Sequence, residues 1–364
     1  MQGKEQLNDH WDKENGIYVP GKGTMEIEGV EHQFLVDEVK AIPERPGYPT
    51  SDRIITEYAE DLSQDPDITV VLLPGWGETT AQFEGDFLNI LISSMRSAGY
   101  SNPKIVGFNT CGKGTADYME NDQLISGTNY AKESEDIRAM TDYMCRRDKK
   151  LGENVWVLGH SMGGLNAMAF LRHMEVRGNI SLASGQTARK VNGVMAMMPS
   201  WNERLALGLS GKFLNSVKGQ IPPGAPQYVT GKGNLHLTQE QHIKMMFSGQ
   251  EDEATVAQYL RGNPDSARKF FDITLTFRRQ WLDLFERGLA KGTEFHFLKG
   301  GQDALIPVSA VDAGYRYVNK HIGDTARVTN TEAPDLTHSF SMEIIGLQRE
   351  QLEEYLAMSL GRKA

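Results

Sequence analysis

The sequence predicts an α/β fold, a mostly parallel sheet covered by helices and interrupted late by a helical insertion. Three observations carry this. Apolar runs such as ITVVLL, KIVGF and VWVLG recur from Asp67 onward, as strands buried on both faces require. Segments with helical apolar spacing separate them. From about Trp201 to about Leu289 the strand signal stops, although helix starts remain.

The elements follow in order. Residues 1–24 read as an N-terminal arm, polar and mixed in charge through MQGKEQLNDHWDKENG, with no apolar core of a secretory signal. MEIEG and HQFLVDEV suggest a strand pair, left through the Pro/Gly-rich loop IPERPGYPTSD. ITVVLLPG is a buried strand, AQFEGDFLNILISSMRSAG a helix, and KIVGFNTCG the next strand. SEDIRAMTDYMCRR is helical, with Ile137, Met140 and Met144 on one face. VWVLGHS is a strand running into the helix after Ser161, and VNGVMAMMPS is the sixth strand.

Residues 201–289 then form the insertion. Thr238 to Gln241 fits a capping box, and Asn263-Pro264 an N-cap with proline at the first helical position. Phe270, Thr274, Phe277, Trp281 and Leu284 fall on one helical stripe. The alternation resumes with the strand EFHFLKG, the helix VSAVDAGYRYVNKHIG, the strand ARVTNTEA and the helix SMEIIGLQREQLEEYLAMSL. The core is therefore expected in two pieces, 25–200 and 290–364, with a helical cap at 201–289 between the sixth and seventh strands.

Composition bounds the partners. The 364 residues are 39% hydrophobic and 24% charged, an ordinary globular balance. A net charge of -10 with no Lys/Arg-rich run argues against nucleic acid and anionic membrane surfaces. No apolar run reaches membrane-spanning length. Cys111 and Cys145 make no CxxC pair, so free thiols in a reducing cytoplasm are expected rather than a disulfide framework or a thiolate metal site.

The chemistry centres on Gly159-His160-Ser161-Met162-Gly163. This matches G-x-S-x-G with the strand before and helix after that the motif needs. The glycines leave room for a sharp turn that presents Ser161 at the sheet's C-terminal edge, next to a helix N-terminus. A purely structural turn is the competing reading. A serine hydroxyl needs a base, and the base an orienting acid, which in this arrangement follow in the order serine, acid, histidine.

Six histidines follow Ser161. His173, His236, His242, His296 and His321 fall within helices, the insertion or a strand. His338, in the loop PDLTHSF between the last strand and last helix, is the candidate base. Asp303, in GGQDALIP directly after EFHFLKG, is the candidate acid, and a turn-capping aspartate is its plainer reading. Asp335 is too near His338 in the same loop, whereas Glu203, after the preceding strand, stays open as a rival. Two backbone N–H groups are needed for the developing oxyanion. Met162, after the nucleophile, and Trp76, in Pro74-Gly75-Trp76-Gly77 after VVLL, are the candidates.

These motifs resemble the α/β-hydrolase superfamily from about Met25 to Leu360. The nucleophile elbow GHSMGG, the acid loop GGQDALIP and the late loop histidine carry the likeness. PGWGETTAQF is similar to the family's HGWG-type oxyanion loop, with Pro74 in place of the usual histidine. FNTCGKGTAD is similar to its D-x-R-G-x-G loop, with Asn109 and Cys111 at the usual Asp and Arg/Pro positions. A serine at the elbow excludes the aspartate-dependent dehalogenases and epoxide hydrolases.

The resemblance implies acyl transfer to water, with no metal or organic cofactor. The expected substrate is a small or medium apolar ester or lactone. C–C bond hydrolases, thioesterases and aminopeptidases share the triad, and a non-catalytic hydrolase-fold receptor is the rival from another class. Methionines in MAMMPS and IKMMF would suit either a flexible apolar pocket or core packing.

Overall fold

The structure is a computed structural model. It describes residues 11–12, 17–39, 53–76, 78–110, 113, 130–146, 151–183, 190–199, 234–235, 265–266, 282–339, 344 and 346–361. Nine strands form the central sheet: β1 (Gly21–Ile27), β2 (Val30–Val39), β3 (Arg53–Ala59), β4 (Ile68–Leu73), β5 (Pro103–Asn109), β6 (Asn154–His160), β7 (Lys190–Met197), β8 (Glu294–Gly300) and β9 (Val328–Ala333). Their spatial order is β9-β8-β7-β6-β4-β5-β3-β2-β1. The six strands from β4 to β9 run parallel, and β1, β2 and β3 extend the β5 edge as antiparallel neighbours.

The burial of each strand follows its place. β4 and β5 are buried at every position and β6 and β8 at all but their first, as strands covered on both faces must be. β1 alternates toward its end, matching an outer strand with one solvated face.

Among the described residues, five longer helices accompany the sheet: α1 (Asp86–Ser97), α2 (Tyr130–Arg146), α3 (Gly163–Ala183), α4 (Val308–Ile322) and α5 (Gly346–Leu360). In α1 the apolar positions Phe87, Leu88, Leu91 and Met95 are buried, and the helix closes when Gly99 turns left-handed at φ 88°. Helix α1 packs on α5 and α2 on α3. Because the chain steps from β4 to β5 and then back past β4 to β6, right-handed crossovers put α1 and α2 on opposite faces. That reversal opens a crevice at the C-terminal ends of β4 and β6, where such sheets hold ligands.

Three differences from the sequence reading stand out. RIITEYA, passed over in the sequence, is strand β3, buried at every residue. Two of its charged side chains are matched by distant partners, Arg53 by Asp136 and Glu57 by Lys104. Within the arm, Tyr18 is buried and β1 already begins at Gly21. Its hydroxyl bonds Glu84 and Thr80, contacts that no local pattern announces.

The insertion falls where the sequence puts it, between VNGVMAM and EFHFLKG, now the seventh and eighth sheet strands in chain order. Most of 201–289 lies outside the described residues, including the capping box at 238–241 and the stripe from Phe270 to Trp281. Asp265–Ser266 pairs antiparallel with Asn234–Leu235 where the first turn of a helix was expected, backbone pairing from a distant segment having replaced it. Among the described residues, no helix is long and apolar enough to cross a membrane.

Candidate active site

The turn after β6 is held by backbone contacts that leave no room for side chains. Ser161 takes φ 52°, a left-handed conformation uncommon for a residue with a Cβ. Its N–H donates to the Met197 carbonyl at 2.9 Å, and its own carbonyl accepts from Gly164 N–H at 3.1 Å. A Cβ on Gly159 would collide with the Gly163 carbonyl, and one on Gly163 with the Leu73 carbonyl. The two glycines of the pentapeptide thus let β6, the start of α3 and the end of β4 approach one another. Met162 is buried immediately before α3, in the first turn where amides lack intrahelical partners.

Asp303 and His338 come from the ends of the adjacent parallel strands β8 and β9. His338 Nδ1 and Asp303 Oδ2 lie 2.8 Å apart, with both side chains buried. The other carboxylate oxygen, Oδ1, accepts the N–H groups of Leu305 at 2.8 Å and Ile306 at 2.7 Å. Asp303 is therefore both the turn-holding residue and the partner of the histidine, the former fixing its carboxylate for the latter. With Nδ1 facing a carboxylate, the proton belongs on Nδ1 and leaves Nε2 as a base. Among the described residues, His338 Nε2 is buried with no hydrogen-bond partner.

The loop after β4 lies against the serine turn, since β4 and β6 are neighbours in register from Thr69 and Val155 to Leu73 and Gly159. A Cβ on Gly75 would stand 3.2 Å from the Ser161 Cβ. Trp76, the next residue, is half-buried against the core. Two side chains grip this loop. The Gly75 N–H donates to Glu78 Oε2 at 2.8 Å, and the buried Lys113 ammonium donates to the Gly75 carbonyl at 3.0 Å.

Glu78 leads to a group that the sequence reading missed. Its Oε2 lies 3.0 Å from His160 Nδ1, and its Oε1 accepts the Ser339 hydroxyl at 3.1 Å. His160 Nε2 lies 2.6 Å from the His338 carbonyl, which can only accept. Both ring nitrogens of His160 therefore donate, so the ring is an imidazolium paired with a carboxylate. Burial opposes both charges. The His160 charge and hydrogen bond nevertheless hold the Glu78 carboxyl down at about 2. The Glu78 charge and hydrogen bond in turn raise His160 above its ordinary value. One signal was available in the sequence: His160 and Glu78 are polar residues within the elbow and oxyanion-loop motifs themselves.

The remaining candidates have other occupations. Asp335 Oδ2 accepts from Gln351 on α5, which directs it away from His338. His173 pairs with Asp142. His296 lies within β8 between Thr329 and Glu294, and His321 bonds the Tyr317 carbonyl. Glu203, His236, His242, Cys111 and the IKMMF methionines lie outside the described residues. Asn109, in the loop similar to D-x-R-G-x-G, exchanges two 2.8 Å hydrogen bonds with Thr80 and so steadies the turn that follows the Trp76 loop. Met195, Met197 and Met198 are fully buried core residues.

No protein-family model and no curated protein matches the sequence. Solved structures do. A thermostable carboxyl esterase from Bacillus coagulans superposes with a TM-score of 0.52 at 15% identity, over 89% of this chain and 97% of that one. A peroxisomal α/β-hydrolase from Saccharomyces cerevisiae gives 0.52 at 13% identity over 90% of both chains. An esterase from Rhizomucor miehei gives 0.50 at 11% identity, over 95% of this chain and 85% of that one. The order of the strands, the reversal at β4 and these superpositions agree: the chain has the α/β-hydrolase fold.

Proposed function

We propose that the protein is a serine hydrolase that cleaves a carboxylic ester or lactone of a small to medium apolar acyl group through an acyl-enzyme. The observation that carries the reading is the buried Asp303–His338 pair, with Nε2 of the imidazole free of hydrogen bonds among the described residues, at the same sheet edge as the left-handed Ser161. Ser161, His338 and Asp303 serve as nucleophile, base and orienting acid. The Met162 and Trp76 amides serve as oxyanion donors. The esterases among the structural neighbours lean the choice of bond toward esters.

In the first half-reaction the Ser161 oxygen attacks the carbonyl carbon while His338 Nε2 takes its proton, and Asp303 stabilises the resulting imidazolium. The carbonyl electron pair moves to oxygen, where the two amides meet it. Collapse expels the alcohol, which leaves with the proton from His338. Water, deprotonated by the same nitrogen, then attacks the acyl-serine and releases the acid.

A fluorophosphonate probe tests the nucleophile directly. The native protein should be labelled at Ser161 and Ser161→Ala should not. Labelling that survives the substitution removes Ser161 as the nucleophile, and no labelling of the native chain removes the hydrolase reading and favours a binding protein. A panel of p-nitrophenyl esters of graded chain length, run beside lactones and thioesters, then identifies the bond and the acyl size.

A further inference from the structure

We infer that Lys113 is a positioning residue of the oxyanion hole, whose ammonium, bound to the Gly75 carbonyl, turns and polarises the peptide that presents the Trp76 N–H. The inference rests on the proposal that Ser161 is the nucleophile and Trp76 an oxyanion donor.

The geometry comes from one peptide unit and one strand order. The Gly75 carbonyl and the Trp76 N–H belong to the same trans peptide and point in opposite directions. β4, from which this loop springs, lies between β5 and β6. Lys113 follows β5 and takes the Gly75 carbonyl at 3.0 Å. Ser161 follows β6 on the other side, with its Cβ 3.2 Å from where a Gly75 Cβ would be. Drawing the carbonyl toward the β5 side turns the Trp76 N–H toward the β6 side, where the nucleophile is.

Three further contacts make this a built arrangement rather than a chance approach. The Lys113 N–H bonds the Thr110 carbonyl at 3.0 Å, closing the turn that aims the side chain. The Glu78 N–H reaches the same Gly75 carbonyl at 3.4 Å, while the Glu78 carboxylate holds the Gly75 N–H. Gly75 is thus held on both its backbone groups, which orients the peptide that follows. Lys113 is also almost fully buried, at 4% exposure. A cation on a carbonyl draws electron density from its own amide and makes that N–H a stronger donor. In a water-poor site the same charge favours a negative oxygen on the far side of the peptide.

The test uses an aliphatic trifluoromethyl ketone on the full chain. Ser161 adds to the ketone carbon, its proton passes to His338, and the carbonyl pair becomes a hemiketal oxyanion in the hole. The pH dependence of the adduct's ¹⁹F resonance reads the ionisation of that oxygen. In Lys113→Met the ionisation should move up by about one pH unit or more. With it, kcat for a p-nitrophenyl ester should fall roughly 10- to 100-fold while KM stays within about threefold. Lys113→Arg, which keeps a charged donor, should restore kcat to within about fivefold of the native value. An unchanged ionisation and kcat in Lys113→Met overturns the inference and leaves the Ser161 reading standing. Absence of any adduct in the native protein overturns both. If Lys113→Met does not fold, Lys113→Gln against Lys113→Arg decides the matter, equal oxyanion ionisation in the two overturning it.

Discussion

Two buried glutamates, Glu78 and Glu84, lie on the same stretch of chain after β4, at 3% and 4% exposure, yet they hold different things together. Glu84 Oε1 accepts the hydroxyls of Tyr58 at 2.8 Å and Tyr18 at 3.2 Å, joining the antiparallel strands and the N-terminal segment to the sheet. Burial, then the Glu84 charge, pushes both phenols well above their ordinary range, so they remain donors. Glu78 instead bonds the backbone of the Trp76 loop, the histidine before Ser161 and the serine after His338. A buried charge by itself says nothing of function. What distinguishes the two is that the partners of Glu78 converge on the three loops that carry Trp76, Ser161 and His338.

That contrast can be broken or sharpened in descending order of effect. His338→Ala should lower turnover by about a thousandfold or more, measured as ester hydrolysis, because its imidazole is the proposed base for Ser161. Glu78→Gln should lower kcat roughly 10- to 100-fold and stability by about 3–5 kcal/mol, since it leaves the buried His160 charge unmatched. Equal kcat in native and Glu78→Gln protein would erase the distinction between the two glutamates. Glu84→Gln should cost only about 1–2 kcal/mol in denaturant titration while kcat stays within about threefold.

The smallest effect is in pH. His160 is raised on folding, so its contribution is full below its ordinary value near 6.5 and is lost as pH rises through the raised value. Glu78 is lowered to about 2, so its contribution is full above its ordinary 4.5 and fades between there and 2. The stability gap between native and Glu78→Gln protein should therefore be widest from about pH 5 to pH 6.5 and narrow toward alkaline pH. Thermal denaturation across that range reads it, and a gap independent of pH would mean the pair is not ionic.

Strands that bury both faces were readable because nothing but apolar side chains satisfies that position, as in ITVVLL or EFHFL. β3 was not, since its Arg53 and Glu57 find their charge partners on α2 and β5, far along the chain. The same divide runs through the site. Ser161, Asp303 and His338 could be proposed from the sequence because each follows a strand end, which is a local property. Glu78, His160 and Lys113 were not, because their contacts span 82, 178 and 38 residues of sequence separation. Asp335 illustrates the converse, three residues from His338 yet bound to the last helix.

The contacts around Gly163 have a consequence for how the protein fails. A Cβ on that glycine would collide with the Leu73 and Pro74 carbonyls, and the Ser161 amide is tied to Met197, so the turn is braced by two neighbouring strands at once. Local opening of that turn requires separating β4, β6 and β7 in the middle of the sheet. The Ser161 amide should accordingly exchange its hydrogen only through global unfolding, with the slowest amides of the chain. Heat denaturation of this turn then follows the melting of the sheet rather than a local loosening.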